Sequence, residues 1–187
     1  MFKLMFLLGL VGCTVGEVGS PGTGGDDDDD GGGVDAPAGT TARVTVTATT
    51  TPTPGGGEYA PRNVVAVWVE SSGGAFVKTI QRHAQVRISQ LVAWNAKAGA
   101  GDVDAVTGAT RSDHATPLTI SWDMLDRDDA VVADGTYTLR MESSDLNAIS
   151  EAENNQGTFT FVKGAAPESQ TALTSGGFTN VSIDFTP

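Results

Sequence analysis

The chain has 187 residues and a formal net charge of −12, from 11 basic and 23 acidic side chains. This acidic balance excludes nucleic acid as a partner, because nucleic-acid binding depends on basic side chains that neutralise phosphates. The single cysteine has no partner for an intrachain disulfide, and with only two histidines the chain lacks the usual zinc-ligand spacings.

The N-terminus has the order of an export signal. Lys3 precedes an apolar run over residues 4–11, and residues 10–13 read Leu-Val-Gly-Cys. This tetrapeptide resembles a bacterial lipobox, which implies that residues 1–12 are a signal peptide and that Cys13 is lipidated. The apolar run is too short to span a bilayer core, which needs about 20 helical residues, so the anchor implied is lipid.

Sorting within the envelope depends on the residue after the cysteine. Thr14 stands where an aspartate would resemble an inner-membrane retention signal. The resemblance therefore implies a lipid-anchored protein of the cell envelope, at the periplasmic face of the outer membrane or at the cell surface.

Residues 13–60 are predicted to form a disordered tether. They are rich in Gly, Asp, Thr and Pro and include the acidic run Asp26–Asp30. Such a composition buries too little apolar surface to offset the entropy of ordering the chain. The acidic run lacks the framing ligands of a calcium site and is interpreted as a solubilising spacer. The alternating stretch 43–47 is expected to be extended or to add an edge strand.

Residues 61–187 are predicted to form one all-β domain, an Ig-like antiparallel β-sandwich. Short apolar and β-branched runs alternate with Gly, Asp and Asn, as is typical of sandwiches. Val64–Glu70 and Ala75–Gln81 flank Ser71-Ser72-Gly73-Gly74, which predicts a hairpin. The further predicted strands are Leu118–Trp122, Thr136–Met141, Thr158–Val162 and Phe178–Phe185.

One segment departs from this pattern. Between His83 and Gly99 the apolar residues Ile88, Leu91, Val92 and Trp94 have partly helical spacing. We expect one short helix inserted between strands, capping an end of the sandwich.

The segment around Trp122 resembles the Ig-like domains of the flagellar hook-cap FlgD type. Trp122-Asp123 is followed by Asp134-Gly135 and then by Tyr137, in the order of that pattern. Both aromatic residues are expected in the core, and Asp134-Gly135 is expected to form a tight turn. Met124 stands where the pattern usually has glycine, so the first turn departs from it.

A wider resemblance covers most of residues 61–187. The segments that carry it are Asn63–Val69, Phe76–Ile80, Leu91 with Trp94, Asp104–Thr110, and those around Trp122 and Tyr137. In this order they resemble the predicted periplasmic DUF2271 family. The resemblance implies export and a sandwich fold, and it implies no reaction.

No catalytic or metal site is predicted. His83 and His114 are the only imidazoles, and no serine has the glycine pattern of a nucleophile elbow. Asp104 and Asp113 with His114 are too few ligands for a recognisable metal site. The acidic residues at 123–129 lack EF-hand spacing and are interpreted as a solvated turn with hydrogen bonds to the backbone. We therefore expect a protein that is not an enzyme.

The sharpest motif is Asp-Ala-Val-Thr-Gly-Ala-Thr at residues 104–110. It resembles the Asp-x-x-Ser/Thr-Gly-Ala-Thr site at which a flavin transferase attaches FMN through its phosphate to the last threonine. The resemblance implies Thr110 as the acceptor, with Asp104, Thr107, Gly108 and Ala109 recognised by the transferase. The competing interpretation is a plain loop before the Leu118 strand.

Two functions remain from the sequence. The first is a non-enzymatic lipoprotein without a cofactor, whose sandwich binds an envelope protein or a small ligand. The alternative is an extracytoplasmic electron carrier with FMN covalently attached to Thr110, which requires an FMN transferase as a partner. Bound flavin would distinguish the two by its colour.

Overall fold

The computed structural model describes residues 41–98, 106–108 and 110–187. This part of the chain forms two facing sheets. The strands are β1 (Arg43–Thr50), β2 (Val64–Ser71), β3 (Phe76–His83), β4 (Val106–Gly108), β5 (Leu118–Trp122), β6 (Gly135–Ser144), β7 (Asn155–Lys163), β8 (Glu168–Ser175) and β9 (Phe178–Thr186). The four-stranded sheet has the order β5-β1-β9-β8, and the five-stranded sheet has the order β4-β3-β2-β6-β7.

The pairings are antiparallel except for β4, which runs parallel to β3. This architecture confirms the predicted all-β sandwich with one short helix. All six predicted strands are present, and the turn at residues 71–74 joins β2 to β3 as expected. The backbone N–H of Gly74 donates to the carbonyl of Ser71 at 2.9 Å, and Gly74 has a left-handed φ of 78°.

The core between the sheets follows from alternation. In β5 the burial pattern is strictly alternating, with Leu118, Ile120 and Trp122 pointing inward. Trp122 contacts Tyr137 and Phe161 edge-on, with ring centroids 5.7 and 6.2 Å apart, and its Nε1 donates to the carbonyl of Leu125 at 2.7 Å. Trp122 and Tyr137, the two aromatic residues predicted for the core, are therefore buried in it.

The helix lies elsewhere than predicted. α1 (Val92–Ala98) packs on the outer face of the five-stranded sheet, where Leu91 and Trp94 contact Val64, Ala66 and Trp68 of β2. The predicted position at an end of the sandwich is therefore wrong. The physical reason is that β2 is apolar on both faces, so its outer face also needs a cover.

The domain also begins earlier than residue 61. β1 pairs with both β5 and β9 and therefore lies inside the four-stranded sheet, whereas the sequence placed it in the tether or at an edge. Its alternate residues Val44, Val46 and Ala48 are buried in the core. The polar strand β8 was not predicted, because most of its residues are exposed or only partly buried.

The two sides of the sandwich differ. Along one side, side chains of β8 form hydrogen bonds with backbone groups at the outer edge of β7. Gln170 Nε2 donates to the carbonyl of Thr160 at 2.7 Å, and the N–H of Val162 donates to Glu168 at 2.7 Å. On the opposite side β3 and β5 approach each other, and Gln81 Nε2 of β3 donates to the carbonyl of Thr119 at 3.3 Å.

Among the described residues α1 is the single α-helix, and its seven residues do not make a membrane span.

Candidate functional site

The start of the candidate site is the edge strand β4. It pairs with β3 so that Thr107 opposes Arg82 and Gly108 opposes His83. A Cβ atom on residue 108 would lie 2.4 Å from Nδ1 of His83, well inside van der Waals contact. Only glycine lets the backbone come this close to the imidazole ring. The motif residues 107 and 108 therefore belong to the sheet.

The end of the motif is held by a second set of contacts. Thr110 is half-buried, and Arg111 exchanges two backbone hydrogen bonds with Asn63, of 2.9 and 3.2 Å. The fully buried Asn63 also donates from Nδ2 to the carbonyl of Asp113 at 3.0 Å. Thr110 is thus carried by a backbone that is attached to the sandwich immediately after it.

His114 fixes the same segment from inside. Its Nδ1 lies 2.9 Å from Oγ1 of Thr50, and its Nε2 lies 3.4 Å from Oδ2 of Asp145. If the Thr50 hydroxyl donates to Nδ1, the neutral ring carries its proton on Nε2, toward the carboxylate. Burial lowers the pKa of His114, against the opposing effect of Asp145.

Asp145 is completely buried and has further partners. The hydroxyl of Thr53 donates to Oδ1, and the N–H of Thr53 lies 3.3 Å from Oδ2. The hydroxyl of Thr50, the imidazole of His114 and the carboxylate of Asp145 are arranged in series, as in the catalytic triad of a hydrolase. Thr50 is only 4% exposed, however, so no substrate could reach its hydroxyl. The network is interpreted as a structural anchor for the Thr110 segment.

An open cleft adjoins this segment, between the edges of β3 and β5. It has a volume of about 340 Å³. Its lining combines apolar, cationic and amide groups: Gln81, His83, Arg111, Ser112, Asp113, Thr116, Pro117, Leu118 and Thr119. A Nη2 of Arg111 donates to the carbonyl of Thr116, and burial lowers the pKa of the guanidinium. The volume is at the lower end of the range for ligand sites.

The predicted site residues have different outcomes. Cys13, Asp104 and Ala109 lie outside the described residues. Thr107 and Gly108 lie in β4, and Thr110 follows two residues after its end. The structure therefore places Gly108 beside His83, and Thr110 directly before Arg111, and both His83 and Arg111 line the cleft.

The acidic turn is as the sequence indicated. Oδ1 of Asp126 accepts hydrogen bonds from the N–H groups of Asp128 and Ala130, at 2.9 and 3.0 Å. Met124 has a left-handed φ of 63° where the FlgD-type pattern has glycine, and its side chain is fully buried. Within the described ranges no three His, Cys, Asp or Glu side chains are placed to hold a metal ion.

Sequence reasoning missed several polar residues of this region. Arg111 could have been found, because it directly follows the motif threonine. Gln81 and Asp145 carry no such signal, since a glutamine in a strand and an aspartate after one are ordinary in sequence. Their roles depend on β5 and the segment after β1 packing against them.

The family comparison agrees with the resemblance drawn from the segments above. The model of a family described as predicted periplasmic proteins, DUF2271, matches residues 44–171. That range begins within β1 and ends within β8, so it covers most of the sandwich. No curated protein and no solved structure shows significant similarity to the chain. The chain belongs to the DUF2271 family of predicted periplasmic proteins.

Proposed function

We propose that this protein is an extracytoplasmic electron carrier with FMN covalently attached to Thr110. The observation that carries the proposal is the position of the motif threonine. It is half-buried and lies in the chain between the edge strand β4 and Arg111, which together with His83 lines an open cleft. A transferase can reach such a backbone at the edge of a sheet, whereas a central strand would be inaccessible.

The attachment is a phosphoryl transfer with a defined balance. The hydroxyl oxygen of Thr110 attacks the FMN phosphorus of flavin adenine dinucleotide. A phosphoester bond forms, the pyrophosphate bond breaks, AMP leaves, and the hydroxyl proton passes to a base of the transferase. In this proposal the transferase is the enzyme, and the present chain is its substrate.

The residues around Thr110 fit a covalently attached FMN. Gly108 leaves no side chain between the backbone and His83, and the cationic residue Arg111 directly follows Thr110 in the chain. The bound flavin would supply the redox chemistry, and the sandwich would hold and orient it. Asp104, Thr107 and Ala109 complete the motif that a transferase would recognise.

The anchor belongs to the same proposal. Lipidation of Cys13 would tether the domain to the envelope, and the segment that follows would set its distance from the membrane. Cys13→Ser is expected to release the folded protein from membranes. Membrane fractionation with intact mass measurement tests this, and a lipid-modified mass in the variant would contradict it.

The flavin attachment has its own test. Expression with an FMN transferase is expected to give a covalent flavin that survives denaturation. Thr110→Ala should lose it, whereas Thr110→Ser, which keeps a hydroxyl, should retain it. Equal flavin in the wild type and in Thr110→Ala would overturn the proposal.

A second candidate function is a binding module without a cofactor. The mixed lining of the cleft favours it, because apolar and polar groups together are typical of sites for small ligands. In this second function, an envelope protein is the alternative to a small ligand as the binding partner. Wild-type protein from its native envelope with only the mass of the unflavinylated lipoprotein would favour this second function.

A further inference from the structure

Two large apolar side chains project into solvent at one end of the sandwich. Among the described residues Ile149 is 88% exposed and Val86 is 82% exposed, more than any other large apolar side chain. Val86 follows the end of β3, and Ile149 lies between β6 and β7. Because β2 pairs antiparallel with both β3 and β6, the ends of these two strands lie on the same side of it. Val86 and Ile149, the two apolar tips, therefore belong to one end of the sandwich.

The segments that carry the apolar tips are held in place. The N–H of Ile149 donates to the carboxylate of Glu153 at 2.7 Å. Next to Val86, the guanidinium carbon of Arg87 lies 4.0 Å from the ring centroid of Tyr59. Such contacts keep both apolar tips away from the core. Their surface can therefore be removed from water only by a partner outside the domain.

The flavin motif lies at the same end of the sandwich. Gly108 opposes His83, the last residue of β3, and Arg111 pairs with Asn63 directly before β2. Thr110 lies in the chain between these two attachments. The end that carries the apolar tips is therefore also the end that carries Thr110, and we call it the motif end.

The proposed anchor allows either end of the sandwich to face the membrane. β1 ends at the motif end, where Thr50 contacts His114, so its first residue Arg43 lies about 27 Å away at the opposite end. Residues 14–40 separate Cys13 from the described part of the chain, and a Gly-rich chain of that length spans about 29 Å on average. The orientation is then set by the surface of the domain.

We infer that the motif end faces the membrane and that Val86 and Ile149 insert into the lipid surface. The inference rests on the lipid anchor of the proposed function. A stable protein interface buries about 800 Å² on each partner, whereas two separate projecting side chains offer little area. A fluid lipid boundary adapts to such tips. This orientation would place a flavin on Thr110 at the bilayer surface, within reach of a redox partner in the membrane.

The charges near the apolar tips indicate the kind of lipid. The exposed carboxylates Glu58, Glu151 and Glu153 outnumber the exposed guanidinium of Arg62 at this end. Anionic lipids are recruited by clusters of basic side chains, which this combination does not provide. The contact should therefore be apolar, sufficient with zwitterionic phosphatidylcholine and nearly independent of salt.

The test uses the full-length, lipidated protein in vesicles of brominated phosphatidylcholine, whose bromine atoms quench tryptophan fluorescence on contact. The three native tryptophans are at most 2% exposed, so the wild type supplies the background. Ile149→Trp places a reporter on one apolar tip. Val162→Trp is the matched control, because Val162 is 50% exposed and lies at the opposite end, paired with Thr136 near the start of β6.

Ile149→Trp should be quenched by the brominated lipid, and Val162→Trp should stay at the background. Addition of Val86→Ser to Ile149→Trp should lower the ratio of inserted to free protein by about tenfold, the effect of withdrawing one apolar side chain from lipid. Equal quenching of the two reporters, or stronger quenching of Val162→Trp, would overturn the inference.

Failure of the proposed function would give a different result. A chain without lipid on Cys13 would stay in solution in every variant, which would refute the anchor and this inference with it. Absence of covalent flavin on Thr110 would refute the electron carrier, whereas the quenching would still decide the orientation. A thermal melt checks that each variant folds, and Val86→Trp serves as the reporter if Ile149→Trp does not.

Discussion

Gly108 opposes His83 across the parallel pairing of β4 with β3, and a Cβ on residue 108 would meet Nδ1 of His83 at 2.4 Å. The glycine of the motif therefore has a structural role besides any recognition by a transferase. The pairing of β4 with β3 holds the backbone of the motif close to the sheet.

Gly108→Ala should lower the free energy of unfolding by about 1 to 3 kcal/mol, because the added methyl group overpacks against the imidazole ring. Gly164→Ala is the control, since nothing lies within 4 Å of its Cβ position. Urea denaturation measures both variants. His83→Ala combined with Gly108→Ala should recover part of the loss, and equal effects of the two single glycine variants would contradict the contact.

The buried His114 should make stability depend on pH. Burial lowers its pKa below the ordinary value of 6.5, so the unfolded chain binds a proton more readily than the native chain does. The free energy of unfolding should therefore fall as the pH drops below about 6.5.

Urea denaturation from about pH 8 to about pH 5 measures this dependence. The difference between the wild type and His114→Gln isolates the titration of this group. It should shrink on acidification, and parallel curves for the two proteins would refute the assignment.

Glu142 holds the start of α1 on the sheet. Its carboxylate accepts from the N–H groups of Ala93 at 3.0 Å and Trp94 at 2.8 Å, and from Nδ2 of Asn154 at 2.7 Å. Burial raises its pKa, so this acceptor is costly to bury and is kept in place by its donors.

Glu142→Ala leaves two buried backbone N–H groups without an acceptor, removes one of two acceptors of the partly buried Asn154 amide and opens a cavity, and should cost about 3 to 5 kcal/mol of stability. Chemical denaturation measures the loss. Glu151→Ala, at an exposed position nearby, is the control and should stay within about 0.5 kcal/mol of the wild type. A small effect of Glu142→Ala would mean that α1 is held by its apolar contacts alone.

Trp122 is 2% exposed and fills the space between the two sheets. Trp122→Ala should cost about 3 to 5 kcal/mol, with a lower melting temperature in circular dichroism. Trp122→Phe keeps a ring against Tyr137 and loses the hydrogen bond to Leu125, so it should cost less. An unchanged melting temperature in Trp122→Ala would contradict its place in the core.

The local features of this fold can be read from the sequence. Leu118–Trp122 alternates between apolar and polar residues, and that period places three side chains in the core whatever the neighbouring strands are. Gly74, in the turn between β2 and β3, adopts a left-handed φ of 78° for a conformational reason that is equally local. The motif at residues 104–110 can likewise be recognised from the order of its residues alone.

The tertiary structure alone decided where these pieces meet. The alternation of β1 predicts a strand, but its place between β5 and β9 depends on which sheet edges remain open for pairing. α1 lies on the outer face of β2 because that face is apolar, and the burial of Asp145 depends on the segment that covers it. The cleft near Thr110 exists because β3 and β5, which are distant in the chain, approach each other at their edges. Backbone pairing and burial act between such distant segments, and no local sequence pattern connects them.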